Sequence, residues 1–425
     1  MIKSIILAAG KGTRMKSDTP KVLHTIFDKT LVGYVIDSIN ETGLVDENFV
    51  IVGHQAERVE EYIKTSYDNA KTVLQSPQLG TGHAVSMVLP YLEDFVGEVI
   101  ILCGDTPLIT EETLKEFIDS HHSKQSDLTV MSAIFDNPTN YGRIIRNSDG
   151  TLNSIVEEKD ATVEQKSVKE VNAGIYCLNW AKIKPAFGQL KSNNAQGEYY
   201  LTDIVKWANE QNLKVDAYIL KNNEEIFGIN SKAHLAEATK ILTKRVINKH
   251  LENGVTIVDP DTTWISPETE IEPDTVIYPS CYITGKNKIG RNCKIGPFAH
   301  LRGDVVLEDN VKIGNFVEVK KTTIKSNTNA CHLSYLGDSE IGSRVNIGAG
   351  TITANYNPLT KVKSKTVIAD DVKIGSNSVL VAPVQIEEGA NVAALSVITK
   401  NIPAWALALT RSPMKVLEGW VKRFK

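Results

Sequence analysis

Apolar positions along this chain follow two rhythms, and the change between them falls near residue 254. Before it, short β-branched runs alternate with stretches of helical spacing. "SIILAA", "NFVIVG", "EVIILCGD", "DLTVMSAI" and "VDAYIL" predict strands, and "LVGYVIDSIN" and "EETLKEFIDSHH" predict helices between them. That alternation predicts α/β layers on a mostly parallel sheet. From 231 to 254, "SKAHLAEATKILTKRVINKHLENG" keeps helical spacing and stops at a glycine. It predicts a helix that either connects two domains or closes the first one.

After Gly254 the period becomes six. Ile265, Ile271, Ile277, Ile283, Ile289, Ile295, Leu301, Leu307, Ile313 and Val319 are consecutive hits, and Ile368, Ile374, Leu380, Ile386, Val392 and Ile398 form a second run. With 42% of all residues hydrophobic, ten in a row arises by chance roughly twice in ten thousand trials. A β-sandwich would alternate with period two, so it does not fit. A parallel β-helix does: each hexad makes one flat side, three sides close a coil, and the aliphatic residue points inward. Glycines in "KIGRN", "KIGPF", "KIGNF" and "KIGSN" are expected to make the corners. Between the runs, Val319 is followed by Ile324 after five positions, and the lone His332 lies just beyond that slip.

Composition changes this picture little. A chain of 425 residues exceeds one ordinary core, and the expected domains are 1–230 and 255–425, joined through 231–254. A formal net charge of −4 gives no reason to expect a nucleic-acid partner. The apolar run in "MIKSIILAAGKG" is too short for a signal sequence or a membrane span, so a cytoplasmic location is expected. Five scattered cysteines suggest neither a disulfide framework nor a structural zinc site, and Cys281 and Cys293, twelve apart, belong on different sides of the β-helix.

The candidate chemistry begins with "LAAGKGTRM", a glycine loop directly after the first strand. It is neither a Walker A loop nor a dinucleotide fingerprint. Gly10 and Gly12 would let backbone N–H groups approach phosphate, and Arg14 and Lys21 add positive charge. The same glycines also suit an ordinary strand-to-helix turn. Asp105 in "LCGDTPLI" lies past a buried strand, where ligands gather in open α/β sheets, and its carboxylate suits Mg²⁺ or a helix cap. In "VLQSPQLGTGHA", Gln75 offers an amide that could read a base edge. His121 and His122, in a polar helical stretch, are expected to be solvated, and His300, beside the inward Leu301, to lie on the surface.

With "YGRI", "IVEEKDA", "VNAGIY" and "FGINSKAHL" following in order, the first half resembles the sugar-nucleotide pyrophosphorylases. Joined to a hexad-repeat half, the whole chain is similar to the bifunctional bacterial N-acetylglucosamine-1-phosphate uridyltransferase/glucosamine-1-phosphate acetyltransferase family, from about Ile5 to Arg411. The resemblance implies a Rossmann-like nucleotidyltransferase domain followed by a left-handed parallel β-helix. The first would couple N-acetylglucosamine-1-phosphate to UTP with release of pyrophosphate. The second would move acetyl from acetyl-CoA to the amine of glucosamine-1-phosphate. It further implies that three chains associate through the β-helix.

Residue by residue, the resemblance implies that Leu7, Ala8, Gly10, Gln75, Gly80 and Thr81 hold uridine, and that Arg14 and Lys21 face the phosphates. Asp105 and Asn230 would bind Mg²⁺, and Gly142, Glu157 and Asn172 the sugar. In the second half His332 would be the base, since an amine must be neutral to attack a thioester. Taken alone, a single histidine there is more often structural than catalytic. Arg302, Lys320 and Lys361 would clamp the sugar phosphate, with Glu318, Tyr335 and Asn346 beside it. Asn355 and Tyr356 of "ANYN" would handle the acetyl end of acetyl-CoA, together with Ala349, Ser376, Ala394 and Arg411. Lys361 sits in a loop, "NYNPLTKVKSKT", that in the family reaches a neighbouring subunit. Leu395 departs from the family's Ala-Ala-Gly turn.

Two other readings share the folds. A monofunctional pyrophosphorylase with a structural β-helix should lack the His332 set. A non-catalytic assembly protein should lack the Gly10, Gly12, Arg14, Lys21 and Asp105 set.

Overall fold

The computed structural model describes residues 1–424, which divide into two compact units, Met1–Thr239 and Lys240 onward. In the first, seven strands form one sheet in the order Val215–Ile219, Leu128–Ile134, Glu170–Asn179, Glu98–Cys103, Ile2–Leu7, Val45–Val52, Ala70–Leu74. All neighbours are parallel except Glu170–Asn179, which runs antiparallel to both strands beside it. A hairpin, Arg143–Arg146 with Leu152–Val156, extends from that strand. Helices cover both faces over two separate apolar clusters. The strand Ala70–Leu74 and the hairpin escape the hydrophobic pattern, because each is short and half-exposed.

The helix Lys232–Glu252 ends where Gly254, at φ 86°, lets the chain turn. The boundary between the compact units falls inside this helix rather than at either end. Its later turns belong to the second unit, where Val246 and Ile247 join the β-helix core.

That core is a single column of aliphatic residues. All sixteen hexad positions named above are at most 8% exposed. The strands stack in parallel, with Tyr282 opposite His300 and Ile283 opposite Leu301, eighteen positions on. The corners, however, are not made as expected. Left-handed φ falls on Asp274, Asn292, Asn310, Asn327, Arg344 and Asp371 at one corner, and on Ser280, Phe298, Phe316, Leu333, Asn377 and Leu395 at another. Asn and Asp visit this region at low cost. Most of the "KIG" glycines are needed instead because coils approach closely: a Cβ on Gly314 would overlap the Cys331 carbonyl, and one on Gly375 the Ala394 backbone.

The slip after Val319 is also resolved. Strands Glu318–Ile324 and Tyr335–Ile341 run around a corner with one residue fewer, so their register is seventeen, Glu318 opposite Tyr335 and Ile324 opposite Ile341. The short side therefore repeats in two stacked coils. His332 is not in it; it lies between the inward Ala330 and Leu336, on a side of normal length. The segment Asn355–Lys365 then leaves the coil, closed by Ser364 N–H donating to the Asn355 carbonyl (2.8 Å) and a Tyr356–Lys363 bridge. All five cysteines are free. Among the described residues no helix is long and apolar enough to cross a membrane.

Candidate active sites

The first site opens at the carboxyl ends of Ile2–Leu7 and Glu98–Cys103, where parallel strands leave a crevice. A cavity of about 460 Å³ is lined there by Leu7, Ala8, Gly10, Lys21, Gln75, Gly80, Thr81 and Asp105, among others. A Cβ on Gly10 would meet nothing within 4 Å, so its bareness serves space rather than packing. Gly12 is constrained instead: it sits at φ 59°, and a Cβ would lie 2.6 Å from Lys21 Cβ. Lys21 Nζ pairs with Asp105 and donates to Asn230 Oδ1 at 3.2 Å. Asn230, far away in sequence, arrives because Ile229 N–H donates to the Asp105 carbonyl (2.9 Å). Gln75, only 3% exposed, has its amide fixed by the Gly80 carbonyl (2.9 Å) and His83 Nδ1 (3.1 Å). Arg14 is exposed and does not line the cavity.

Gly142, Glu157 and Asn172 form a second group. Asn172 N–H donates to the Gly142 carbonyl (2.9 Å), and Glu157 Oε2 lies 3.5 Å from where a Gly142 Cβ would stand. Burial raises the Glu157 carboxyl above its usual range, against a hydrogen bond from Thr202 (3.2 Å). Asn172 Nδ2 donates to the buried Tyr176 hydroxyl at 2.8 Å. His83, Tyr176 and Thr202 were not found from the sequence; each acts by orienting a motif residue, and nothing local marks such partners.

On the β-helix, Arg302 Nη1 donates to Glu318 Oε1 at 2.6 Å, and Glu318 faces Tyr335 in register. The Tyr335 ring lies over Gly337, where a side chain would collide with its hydroxyl. Asn355 closes the group, hydrogen-bonded to Asp338 and at 3.5 Å from the Tyr335 hydroxyl. Asn355 thus sits with the sugar-phosphate candidates, apart from Ala349 and Arg411. Lys320 follows in the same strand as Glu318, half-buried.

His332 occupies the corner leading into Tyr335, its ring exposed. Asn315, directly opposite in register, holds Nδ1 through its Oδ1 at 3.0 Å. An amide oxygen only accepts, so the proton is on Nδ1 and the lone pair on Nε2. Asn315 was missed in the sequence; the signal was available as the seventeen-residue stacking interval, once the slip is counted.

Ala349, Ser376, Ala394 and Arg411 line one corner through successive coils. Asn377 N–H donates to the Ala349 carbonyl (2.7 Å), Leu395 N–H to the Ser376 carbonyl (2.8 Å), and Arg411 reaches the Ala394 carbonyl (3.5 Å). Leu395 stands there at φ 60°, a position that favours glycine, with its side chain exposed. Asn346 is exposed on the strand beside Asn329. Tyr356 and Lys361 are exposed in the Asn355–Lys365 loop. His300 is half-buried rather than on the open surface, packed on Tyr282 at 5.4 Å, because their strands stack.

A nucleotide-sized crevice over a parallel sheet, followed by a hexapeptide coil bearing a free imidazole nitrogen, defines a nucleotidyltransferase joined to an acyltransferase. The nucleotidyl transferase family matches residues 3–252, and the bacterial transferase hexapeptide family (six repeats) matches 288–321 and 365–400. The bifunctional protein GlmU of Thermoanaerobacter pseudethanolicus is 46% identical over 99% of this chain and 97% of its own length. Those of Alkaliphilus metalliredigens (43%) and Geobacillus thermodenitrificans (42%) each align over 99% of this chain and 98% of their own. The chain belongs to the bifunctional GlmU family, and it is accordingly a uridyltransferase and acetyltransferase of UDP-N-acetylglucosamine synthesis.

Proposed function

We propose that the two activities are carried by the two residue sets just described. In the β-helix, the glucosamine-1-phosphate amine attacks the thioester carbonyl of acetyl-CoA. His332 Nε2 takes the amine proton as the N–C bond forms, and the C–S bond breaks to release coenzyme A. Asn315 holds the imidazole in the tautomer this requires. Arg302 and Lys320 neutralise the sugar phosphate, with Glu318, Tyr335 and Asn346 beside the sugar. Acetyl-CoA follows the corner of Ala349, Ser376, Ala394 and Arg411, with Asn355 and Tyr356 near the acetyl end. The observation that carries this reading is the His332–Asn315 pair.

In the first unit, an oxygen of the N-acetylglucosamine-1-phosphate group attacks the α-phosphorus of UTP. The bond to the pyrophosphate oxygen breaks, and its electron pair leaves with pyrophosphate. Leu7, Ala8, Gly10, Gln75, Gly80 and Thr81 seat the uridine, while Gly142, Glu157 and Asn172 seat the sugar. Lys21 faces the phosphates, where fixed positive charge stabilises the leaving group, and Arg14, exposed outside the cavity lining, would reach them from the solvent side.

The donor set suits Mg²⁺. One carboxylate and one amide oxygen, from Asp105 and Asn230, converge on the Lys21 ammonium, so a cation already stands between them. Magnesium takes few protein ligands when phosphate oxygens complete its shell. Bound there, it would offset charge on the transferring phosphates.

We also propose that three copies assemble through the β-helix, which would bring Lys361 of one chain to the Arg302 set of another. Exposed Phe298 and Phe316, stacked at 5.2 Å, and exposed Leu333 give that unit an apolar ridge beside His332. Light scattering should give three times the chain mass.

The experiment for the whole assignment is a pair of variants assayed for coenzyme A thiol release and for pyrophosphate release. Asp105→Ala should lose uridylyl transfer and keep acetyl transfer; His332→Ala should do the reverse. Wild-type acetyl transfer by His332→Ala would sink the base assignment.

A further inference from the structure

The sequence gives no reason to look for chemistry at the opposite end of the first sheet. His121 and His122 read as solvated residues of a polar helix. The structure contradicts this for His121, which is 2% exposed and turned onto the sheet. There it meets Glu98, at the start of its strand, and Cys177, in the antiparallel neighbour, where Cys177 pairs with Ile100 and Asn179 with Glu98. One ligand atom from each of Glu98, His121 and Cys177 lies within 4.8 Å of the others. The strand Glu98–Cys103 separates this cluster from the nucleotide cavity by roughly 17 Å of extended chain.

We propose that Glu98, His121 and Cys177 form a binding site for a Zn²⁺-class transition-metal ion, distinct from the Mg²⁺ position at Asp105. The donors are one imidazole nitrogen, one thiol sulfur and one carboxylate oxygen, the mixture that Zn²⁺ accepts and Mg²⁺ does not. His121 Nδ1 lies 2.7 Å from the Thr129 hydroxyl, which is fully buried. Donating its Nδ1 proton there leaves the Nε2 lone pair aimed at Glu98 Oε1, 3.7 Å away. In that tautomer two lone-pair-bearing atoms face each other across a gap that a cation would fill; in the other tautomer Thr129 donates to Nδ1 and Nε2–H points to Glu98. In a tetrahedral zinc site neighbouring donors stand roughly 3.3–3.6 Å apart, so the His121–Glu98 pair is near that spacing while the Cys177 sulfur, within 4.8 Å, would close in on binding. Burial lowers the His121 pKa from its usual range, against the pull of Glu98. His122 Nε2 bonds the other Glu98 oxygen and orients the carboxylate, as partners behind metal ligands do. Thr129 plays the same part behind His121.

Burial also raises the Cys177 thiol well above its usual range. Without metal it is protonated; on binding, the metal–sulfur bond forms and the thiol proton leaves to water. The ion would tie two strands and the helix Glu111–Ser123 together at the sheet end remote from catalysis.

The test uses Co²⁺ as a spectroscopic stand-in, added in equimolar amount to the intact, reduced protein with Mg²⁺ in excess. A near-ultraviolet thiolate-to-cobalt band should appear and be displaced by equimolar Zn²⁺. Cys177→Ser should abolish the band, while Cys103→Ser and Cys331→Ser retain it. His121→Gln should weaken Co²⁺ binding by more than about ten-fold, the loss already typical when only a partner behind a ligand is removed. Pyrophosphate release with Mg²⁺ reports that each variant is folded, and Glu98→Gln, at a partly exposed position, repeats the measurement should the buried changes fail to fold. No band in the unmodified protein, or a band that survives Cys177→Ser or is insensitive to His121→Gln, overturns the proposal.

Discussion

His332 and Glu157 illustrate opposite uses of position. His332 stands in solvent with one nitrogen fixed, so its free lone pair is set by geometry: the Asn315 amide oxygen can only accept. Replacing His332 with Ala should slow acetyl transfer by about 10²–10⁴-fold, the span of general-base contributions. Asn315→Ala leaves the imidazole but frees its tautomer and orientation. The expected loss in kcat is smaller, roughly 10-fold to 100-fold, with KM for glucosamine-1-phosphate little changed. An unchanged kcat for Asn315→Ala would remove Asn315 from the mechanism. Glu157 is instead set by burial, which raises its carboxyl above the unfolded value. For an acid, a raised folded-state pKa means the ionised form is disfavoured by folding. Its cost is therefore absent below the unfolded pKa and fully present once pH exceeds the raised value. Glu157→Gln should raise the melting temperature at pH 7 by less than about 4 °C, with no gain at pH 4. The same variant should raise KM for the sugar phosphate.

At the scale of elements, glycines mark where chain segments touch. Gly80 sits at φ 110°, and a Cβ there would lie 2.6 Å from the Tyr199 carbonyl. Gly80→Ala should strain the turn by about 1–3 kcal/mol and raise KM for UTP several-fold, because Gln75 is anchored on the Gly80 carbonyl. Unaltered UTP saturation would show that this turn does not shape the uridine seat. The hexad period was legible because ten inward positions from Ile265 to Val319, and six from Ile368 to Ile398, are aliphatic without a break. The corner chemistry was not, since the sequence shows the glycine but not which residue takes positive φ. The slip at Val319 was visible too, but it does not account for the position of His332. The two sides of five, 319–324 and 336–341, stack in successive coils, and His332 lies on the second of the two normal sides between them. Alternation from the inward Ala330 would turn His332 inward; it is exposed because its strand ends there, at the corner where Leu333 takes φ 49°. Of the first site, the motif residues could be read in order along the chain. Their supports (Tyr176 behind Asn172, His83 behind Gln75, Thr202 behind Glu157) come from remote segments that carry no periodic signal.

The whole molecule contains separate cores, and this sets how it should fail. The β-helix column from Val246 to Ile402 shares no residue with the two clusters flanking the sheet. A cavity made in one column therefore removes contacts from that unit alone. Ile283 is fully buried in the middle of the β-helix. Ile283→Ala should cost about 2–5 kcal/mol there, from lost burial and the cavity left behind. Because each coil contacts mainly its neighbours, the loss spreads along the column rather than into the sheet. On graded heating, acetyl transfer should then disappear at a lower temperature than in the unmodified protein, while the midpoint for uridylyl transfer stays in place. Assaying thiol release and pyrophosphate release from the same heated samples separates the two curves. If both activities fell together by the same interval, the two cores would be one cooperative unit, and the division of the chain near Thr239 would have no thermodynamic meaning.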